Sequence, residues 1–211
     1  VALLSGPGDV LAVLAGADAA FTGREVHRLV ARYSEAGVRN VLGRLVDQGI
    51  VLVDRVGPSY AYRLNRDHLA APHIAALAGL RRELLERLRA RLGEWDPPAV
   101  FAAQFGSAAR GDMEPGSDID LLIVRPDTVD GDDDRWAAQV DRLARDVTRW
   151  TGNDTRPLEY GHTEARRALR RGDPVLQSIR AEGLHLARPA DYLRTGQPAK
   201  RTGARRKVAG G

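Results

Sequence analysis

The stretch from Gly106 to Asp120 restricts what this chain can fold into more than any other. It reads Gly-Ser-Ala-Ala-Arg-Gly-Asp-Met-Glu-Pro-Gly-Ser-Asp-Ile-Asp. Residues 99–105 before it and 121–124 after it are apolar, short and bounded by turn residues, the pattern of two buried strands. The expected order is strand, Gly-Ser turn, short helix, turn, strand. Asp118 and Asp120 stand two residues apart, and side chains on a strand repeat with a period of two, so both carboxylates project from one face.

Two anions that close repel each other, and a buried Asp without a partner is costly, so the pair calls for a cation. Magnesium fits best. It takes oxygen ligands, commonly one or two carboxylates together with substrate phosphates, and no Cys or nearby His pair points to zinc. Phosphates would need a cradle of their own. Gly106 has no side chain to block a close approach, and Ser107 offers a hydroxyl and a backbone amide at the start of the expected helix.

Gly106-Ser107, then Arg110-Gly111, then Ser117-Asp118-Ile119-Asp120 ahead of Leu121-Leu122-Ile123-Val124 resembles the signature of the nucleotidyltransferase superfamily, whose members are DNA polymerase beta-like. Gly-Ser or Asp-x-Asp alone would be weak, but the two at this spacing, with Arg-Gly between them and an apolar strand behind, are specific. The resemblance implies a small mixed sheet flanked by helices. It also implies transfer of a nucleoside monophosphate from a nucleoside triphosphate to an acceptor, with release of pyrophosphate. On it, Asp118 and Asp120 would hold one or two magnesium ions, Gly106 and Ser107 would seat the terminal phosphates, and Arg110 would add a contact. The family places a third carboxylate on a later strand, where it completes the metal site or acts as base. Glu159 is the first candidate and Asp154 the second.

Net charge is +4, but its distribution decides what that means. Residues 188–211 carry seven Arg and Lys against the single acid Asp191, so the rest of the chain is slightly acidic. This tail is rich in Gly, Ala and Pro and poor in apolar residues, so disorder is expected; it either touches nucleic acid or is a solvated end. With no Cys, disulfides and thiolate metal sites are excluded. No apolar run approaches the ~20 residues that span a bilayer, and residues 1–5 do not read as a secretory signal. A cytoplasmic location with no membrane partner is the expectation.

Before the central stretch, helical patterns precede a strand pair. Asp9 is placed to cap a helix through Leu14, Thr22 a second, and Ser34 a third. In that third helix Val38, Val41, Leu42, Leu45 and Val46 recur at helical spacing, and Gly49 ends the run. Residues 50–56 and 60–64 read as strands joined by Gly57-Pro58-Ser59. Three helices and a two-stranded wing resemble a winged helix-turn-helix domain. That resemblance implies a third helix in the major groove of duplex DNA, with Ser34, Arg39, Asn40 and Arg44 for bases and phosphates and Arg55, Tyr60 and Arg63 in the wing. Residues 1–68 hold 8 Arg and 7 acids, a thin surplus, so a winged helix used for protein contacts stays open.

The expected fold is therefore α/β (α+β): a winged helix over 1–70, a connector over 71–96, a small mixed-sheet nucleotidyltransferase domain over 97–187, and the tail over 188–211. The connector carries Leu77, Leu80, Leu84, Leu88 and Leu92 along one side, as a packed helix or a coiled-coil seam. An acidic run from Asp127 to Asp134 reads as a solvated loop and helix start, followed by a helix with Trp136, Val140, Leu143, Val147 and Trp150 on its core face. Residues 154–160 read as a strand, edge or irregular because of Pro157. The function these resemblances imply is a magnesium-dependent nucleotidyltransferase with a protein, RNA or small-molecule acceptor, coupled to a DNA-binding winged helix; the alternatives are a DNA-binding regulator that senses nucleotide without turnover and a toxin–antitoxin component that modifies protein or transfer RNA.

Overall fold

The structure, a computed structural model, describes residues 7–110, 116–187, 192 and 193. The first elements are α1 (Pro7–Ala15), β1 (Phe21–Thr22), α2 (Gly23–Leu29), α3 (Glu35–Asp47), β2 (Val51–Val56) and β3 (Ser59–Leu64). Thr22 and Glu25 form a reciprocal cap on α2: Thr22 Oγ1 accepts from the Glu25 amide at 3.3 Å, and Glu25 Oε2 accepts from the Thr22 amide at 2.7 Å. Ser34 Oγ accepts from the Gly37 amide at 3.1 Å and starts α3. Asp9 does not cap α1. Pro7 already opens that helix, and Asp9, within its first turn, accepts from Arg32 and the Tyr33 hydroxyl instead.

β2 and β3 pair antiparallel around Gly57-Pro58, and the short β1 adds to β3, giving the order β1-β3-β2. Val10, Leu14, Val26, Val38, Leu42, Leu45, Val51 and Leu64 are buried together as the first core. Next come α4 (Ala71–Ala78) and α5 (Leu80–Gly93), where the sequence pattern suggested one uninterrupted helix. They meet at Gly79, a turn residue at φ −80° and ψ −7° that donates its amide back into α4. The leucine stripe divides there. Ala71 of α4 belongs to the first core and Leu77 is 43% exposed, whereas Leu84, Leu88 and Leu92 of α5 are buried in a second core.

The remaining elements are β4 (Phe101–Phe105), α6 (Gly106–Arg110), β5 (Ile119–Arg125), α7 (Asp134–Thr151), β6 (Thr155–Gly161), α8 (His162–Arg171), α9 (Pro174–Glu182) and β7 (Leu184–Ala187). The sheet order is β6-β5-β4-β7, with β5 and β6 parallel and the other pairs antiparallel. The architecture is mixed helix and sheet. Central β5 is covered on both faces, which is why it reads as an almost unbroken apolar run. Ile119, Leu121 and Ile123 face α5 and α7 together with Trp95, Trp136, Val140, Leu143 and Val147. Leu122 and Val124 face the other way, with Phe101 and Ala103 of β4 against Ala165, Ala168, Leu176 and Ile179 of α8 and α9.

Helix ends fix these layers. Asp133 Oδ1 accepts from the Trp136 amide at 2.8 Å to start α7, and Gly152, at φ 72°, ends it in the left-handed region. Asp127, read in sequence as part of a solvated run, reaches α8 instead. It accepts from the Thr163 amide at 3.0 Å and from its hydroxyl, because Gly161 at the helix start has no side chain to do so. Those contacts, chiefly the Thr163 hydroxyl, hold the Asp127 carboxyl below its ordinary pKa. Within the basic tail, Tyr192 and Leu193 depart from the expected disorder: both are buried in the α8–α9 layer, with the Tyr192 ring stacked 4.9 Å from Phe101.

Candidate active site

β4 ends at Phe105, opposite Asp120 of β5, and the chain turns at once through Gly106 into α6. Gly106 adopts φ 73°, and a β-carbon there would lie 2.3 Å from Asp120 Oδ2. Backbone angle and clearance thus both demand glycine. Asp120 shares its sheet face with Leu122 and Val124, at the end where the apolar layer gives out. Burial pushes its carboxyl above the ordinary pKa, the nearby Asp118 adds to that, and Arg156 opposes it.

The start of β5 is pinned from the loop after α7. The Asn153 side chain donates to the Ser117 carbonyl at 2.8 Å, and the Ile119 amide donates to the Asp154 carbonyl at 2.7 Å. These bonds set the position of Asp118 between two fixed residues. Sequence reading missed Asn153, whose only signal was a polar residue just past the stop glycine of α7. It also missed Arg156. In the parallel β5–β6 ladder Arg156 lies beside Asp120, and its Nη2 is 2.9 Å from Asp118 Oδ2.

Glu159 is not brought to the aspartates. In the ladder it stands beside Ile123, on the face that packs against α7, and its Oε2 accepts from Trp136 Nε1 at 2.7 Å. The alternation of β6 side chains that puts Arg156 on the aspartate face puts Glu159 on the opposite one. Asp154 lies just before β6 with an exposed side chain, and the bond it gives β5 comes from its backbone. Among the described residues, no three His, Cys, Asp or Glu side chains are grouped to hold a metal. Two carboxylates remain, one of them partly desolvated and closed against the glycine turn. That donor set fits a hard divalent cation that completes its shell with phosphate oxygens.

A family model described as a nucleotidyltransferase domain matches residues 81–159. The match supports a transferase enzyme acting on a nucleotide. No curated protein and no solved structure matches the chain significantly. The nucleotidyltransferase match runs from α5 to β6 and takes in Gly106, Ser107, Asp118, Asp120 and Arg156. Ser107 is half-buried directly after the turn, and the Arg110 side chain lies outside the described residues. Among the described residues no helix is long and apolar enough to cross a membrane.

The sequence-predicted DNA contacts lie outside the nucleotidyltransferase match, and the structure brings some of them together. Arg39, Asn40 and Arg44 line one shallow concavity on α3 with Gly43 and Asp47. Arg39 also borders a groove of about 660 Å³ that includes Thr22, Arg24, Tyr60 and Tyr62, so α3 and the β2–β3 hairpin share it. Arg24, at the start of α2, was not singled out from sequence. Several contacts are already engaged: Ser34 caps α3, Arg39 pairs with Glu35 at 3.1 Å, Arg63 pairs with Asp54 at 3.4 Å, and Arg55 donates to the Gly57 carbonyl at 3.4 Å.

Proposed function

We propose that this protein is a magnesium-dependent nucleotidyltransferase that moves a nucleoside monophosphate from a nucleoside triphosphate to a protein, RNA or small-molecule acceptor. The reading rests on one observation, the close fit of Asp120 under Gly106 with Asp118 beside it. Asp118 and Asp120 are the residues that would hold the ion. Bound there, magnesium would neutralise charge on the triphosphate as the bond to the leaving pyrophosphate breaks. The chain's own share is positional. Gly106 lets the turn close onto the Asp120 carboxylate, Ser107 supplies a hydroxyl and an amide for phosphate oxygens, and Asn153 keeps the aspartate strand in register. The acceptor oxygen attacks the α-phosphorus in line, pyrophosphate leaves, and the acceptor's proton passes to solvent.

The first 70 residues we read as a winged helix that brings this chemistry to duplex DNA. Support comes from α3 and the β2–β3 hairpin bordering one groove with Arg24, Arg39 and Tyr60 on its walls. A second reading, a DNA-binding regulator that senses nucleotide without turnover, is favoured by Arg156 on Asp118 and by Glu159 on the far face.

Pyrophosphate release and label transfer from α-labelled triphosphates, with magnesium and with lysate protein and RNA as acceptors, separate the two. Transfer that disappears in Asp118→Asn with Asp120→Asn supports the enzyme. Nucleotide binding by calorimetry with no transfer to any acceptor class would leave the sensor. Undiminished magnesium-dependent affinity in the double variant would sink both.

A further inference from the structure

The strand beside the aspartates presents a cation, Arg156, on their face. Residues level in a parallel ladder project on the same side of the sheet, so Arg156 shares the Asp120 face, and it reaches back to Asp118 at 2.9 Å. Its side chain is 71% exposed while that of Asp118 is 25% exposed. A guanidinium so exposed is held weakly, because water and salt screen a surface pair and the long side chain loses entropy when fixed. The same group is well shaped for phosphate oxygens, which it can meet with two parallel N–H donors.

We propose that Arg156 makes divalent-metal binding at Asp118 and Asp120 conditional on nucleotide. Without nucleotide, the guanidinium neutralises Asp118 and competes with a metal ion for its oxygens. When a triphosphate enters, its oxygens draw the guanidinium away, Asp118 is released to the ion, and Arg156 becomes a nucleotide contact. Metal and nucleotide therefore load together, and the empty site does not collect free ions. This inference rests on the nucleotidyltransferase reading and adds to it a residue that sets the loading order.

The test uses the full-length protein and Mn²⁺ as probe, its free concentration read by electron paramagnetic resonance with and without a non-hydrolysable nucleoside triphosphate. Arg156→Ala, at an exposed position, leaves the fold intact, as a cooperative thermal transition would verify. Its nucleotide-free Mn²⁺ affinity should rise by about tenfold once the competing charge is gone. The gain in Mn²⁺ affinity that nucleotide confers should shrink by about fivefold or more, because Asp118 is already free and the charged phosphate contact is lost. Arg156→Asp should bind free Mn²⁺ tighter still, and Arg156→Lys, which keeps the charge, should stay near wild type for the free ion. Unchanged Mn²⁺ affinities in Arg156→Ala, in a protein that does bind Mn²⁺-nucleotide through Asp118 and Asp120, overturn this inference alone. A wild type that binds Mn²⁺-nucleotide no better than the Asp118→Asn, Asp120→Asn variant overturns the nucleotidyltransferase reading and this inference with it.

Discussion

A β-carbon on Gly106 would sit 2.3 Å from the Oδ2 of Asp120, so the turn and the carboxylate occupy space that only glycine leaves free. Gly106→Ala is expected to cost about 1–2 kcal/mol from the left-handed backbone angle alone. The added contact pushes the Asp120 carboxylate out of place. Urea unfolding should show the lost stability, and calorimetry should show magnesium-nucleotide affinity falling further than in a control such as Gly43→Ala, where added bulk meets nothing. Equal affinity in Gly106→Ala and wild type would mean the turn is not part of the site.

Asp120 carries a penalty in the metal-free protein. Its folded-state carboxyl titrates above the unfolded value, chiefly because it is buried and then because Asp118 is near. A raised carboxyl contributes stability that is complete below the unfolded pKa and is lost as pH rises through the folded one. Asp120→Asn should therefore raise the thermal midpoint at neutral pH in chelator, and the gain should shrink as pH is lowered through the carboxylate range. Scanning calorimetry across that range checks it; a lower midpoint for the variant at neutral pH would contradict the assignment. Sites that give up stability for chemistry commonly behave this way.

Glu159 should matter to the fold and not to transfer. Glu159→Gln keeps an oxygen for the Trp136 indole and is expected to leave turnover and stability close to wild type. Glu159→Ala removes the acceptor from a tryptophan that is 1% exposed, and should cost about 1 kcal/mol with a change in tryptophan fluorescence. A loss of transfer of roughly 100-fold in Glu159→Gln, the usual size of a general-base effect, would return it to the mechanism.

For the N-terminal helices, Arg39→Ala and Arg44→Ala should each weaken binding to duplex DNA across all sequences. Each should also reduce the slope of log affinity against log salt by about 1, as expected when one phosphate contact is removed. Fluorescence anisotropy over a salt series reads both quantities. Slopes unchanged in the two variants would move any DNA contact away from α3.

The central turn was legible because its constraints are local: a glycine before a short helix, a period of two on a strand, an apolar run behind. Arg156 and Glu159 were not, because strand parity in β6 depends on its register with β5, and a shift of one residue exchanges the faces. Nothing in Thr155-Arg156-Pro157-Leu158-Glu159 fixes that register; the bond from Ile119 to the Asp154 carbonyl does. Position on the strand after α7 makes Glu159 the candidate third acid, whereas the ladder places Arg156 beside Asp120. The split of the leucine stripe was hidden for a similar reason. Gly79 is a turn of one residue, so it leaves no break in the leucine periodicity, and only the two separate cores reveal where one helix ends.

Gly79 is the single turn residue between α4 and α5, so no longer loop separates the two cores. A residue added at the joint as one more helical step of α5 would shift it by about 1.5 Å and turn it by about 100° relative to α4. Arg81, two residues on, donates to the Ala109 carbonyl in α6, the helix that begins at Gly106. The spacing of the N-terminal helices from the aspartate site is thus counted in whole residues, and a change of length there would act as a change of angle.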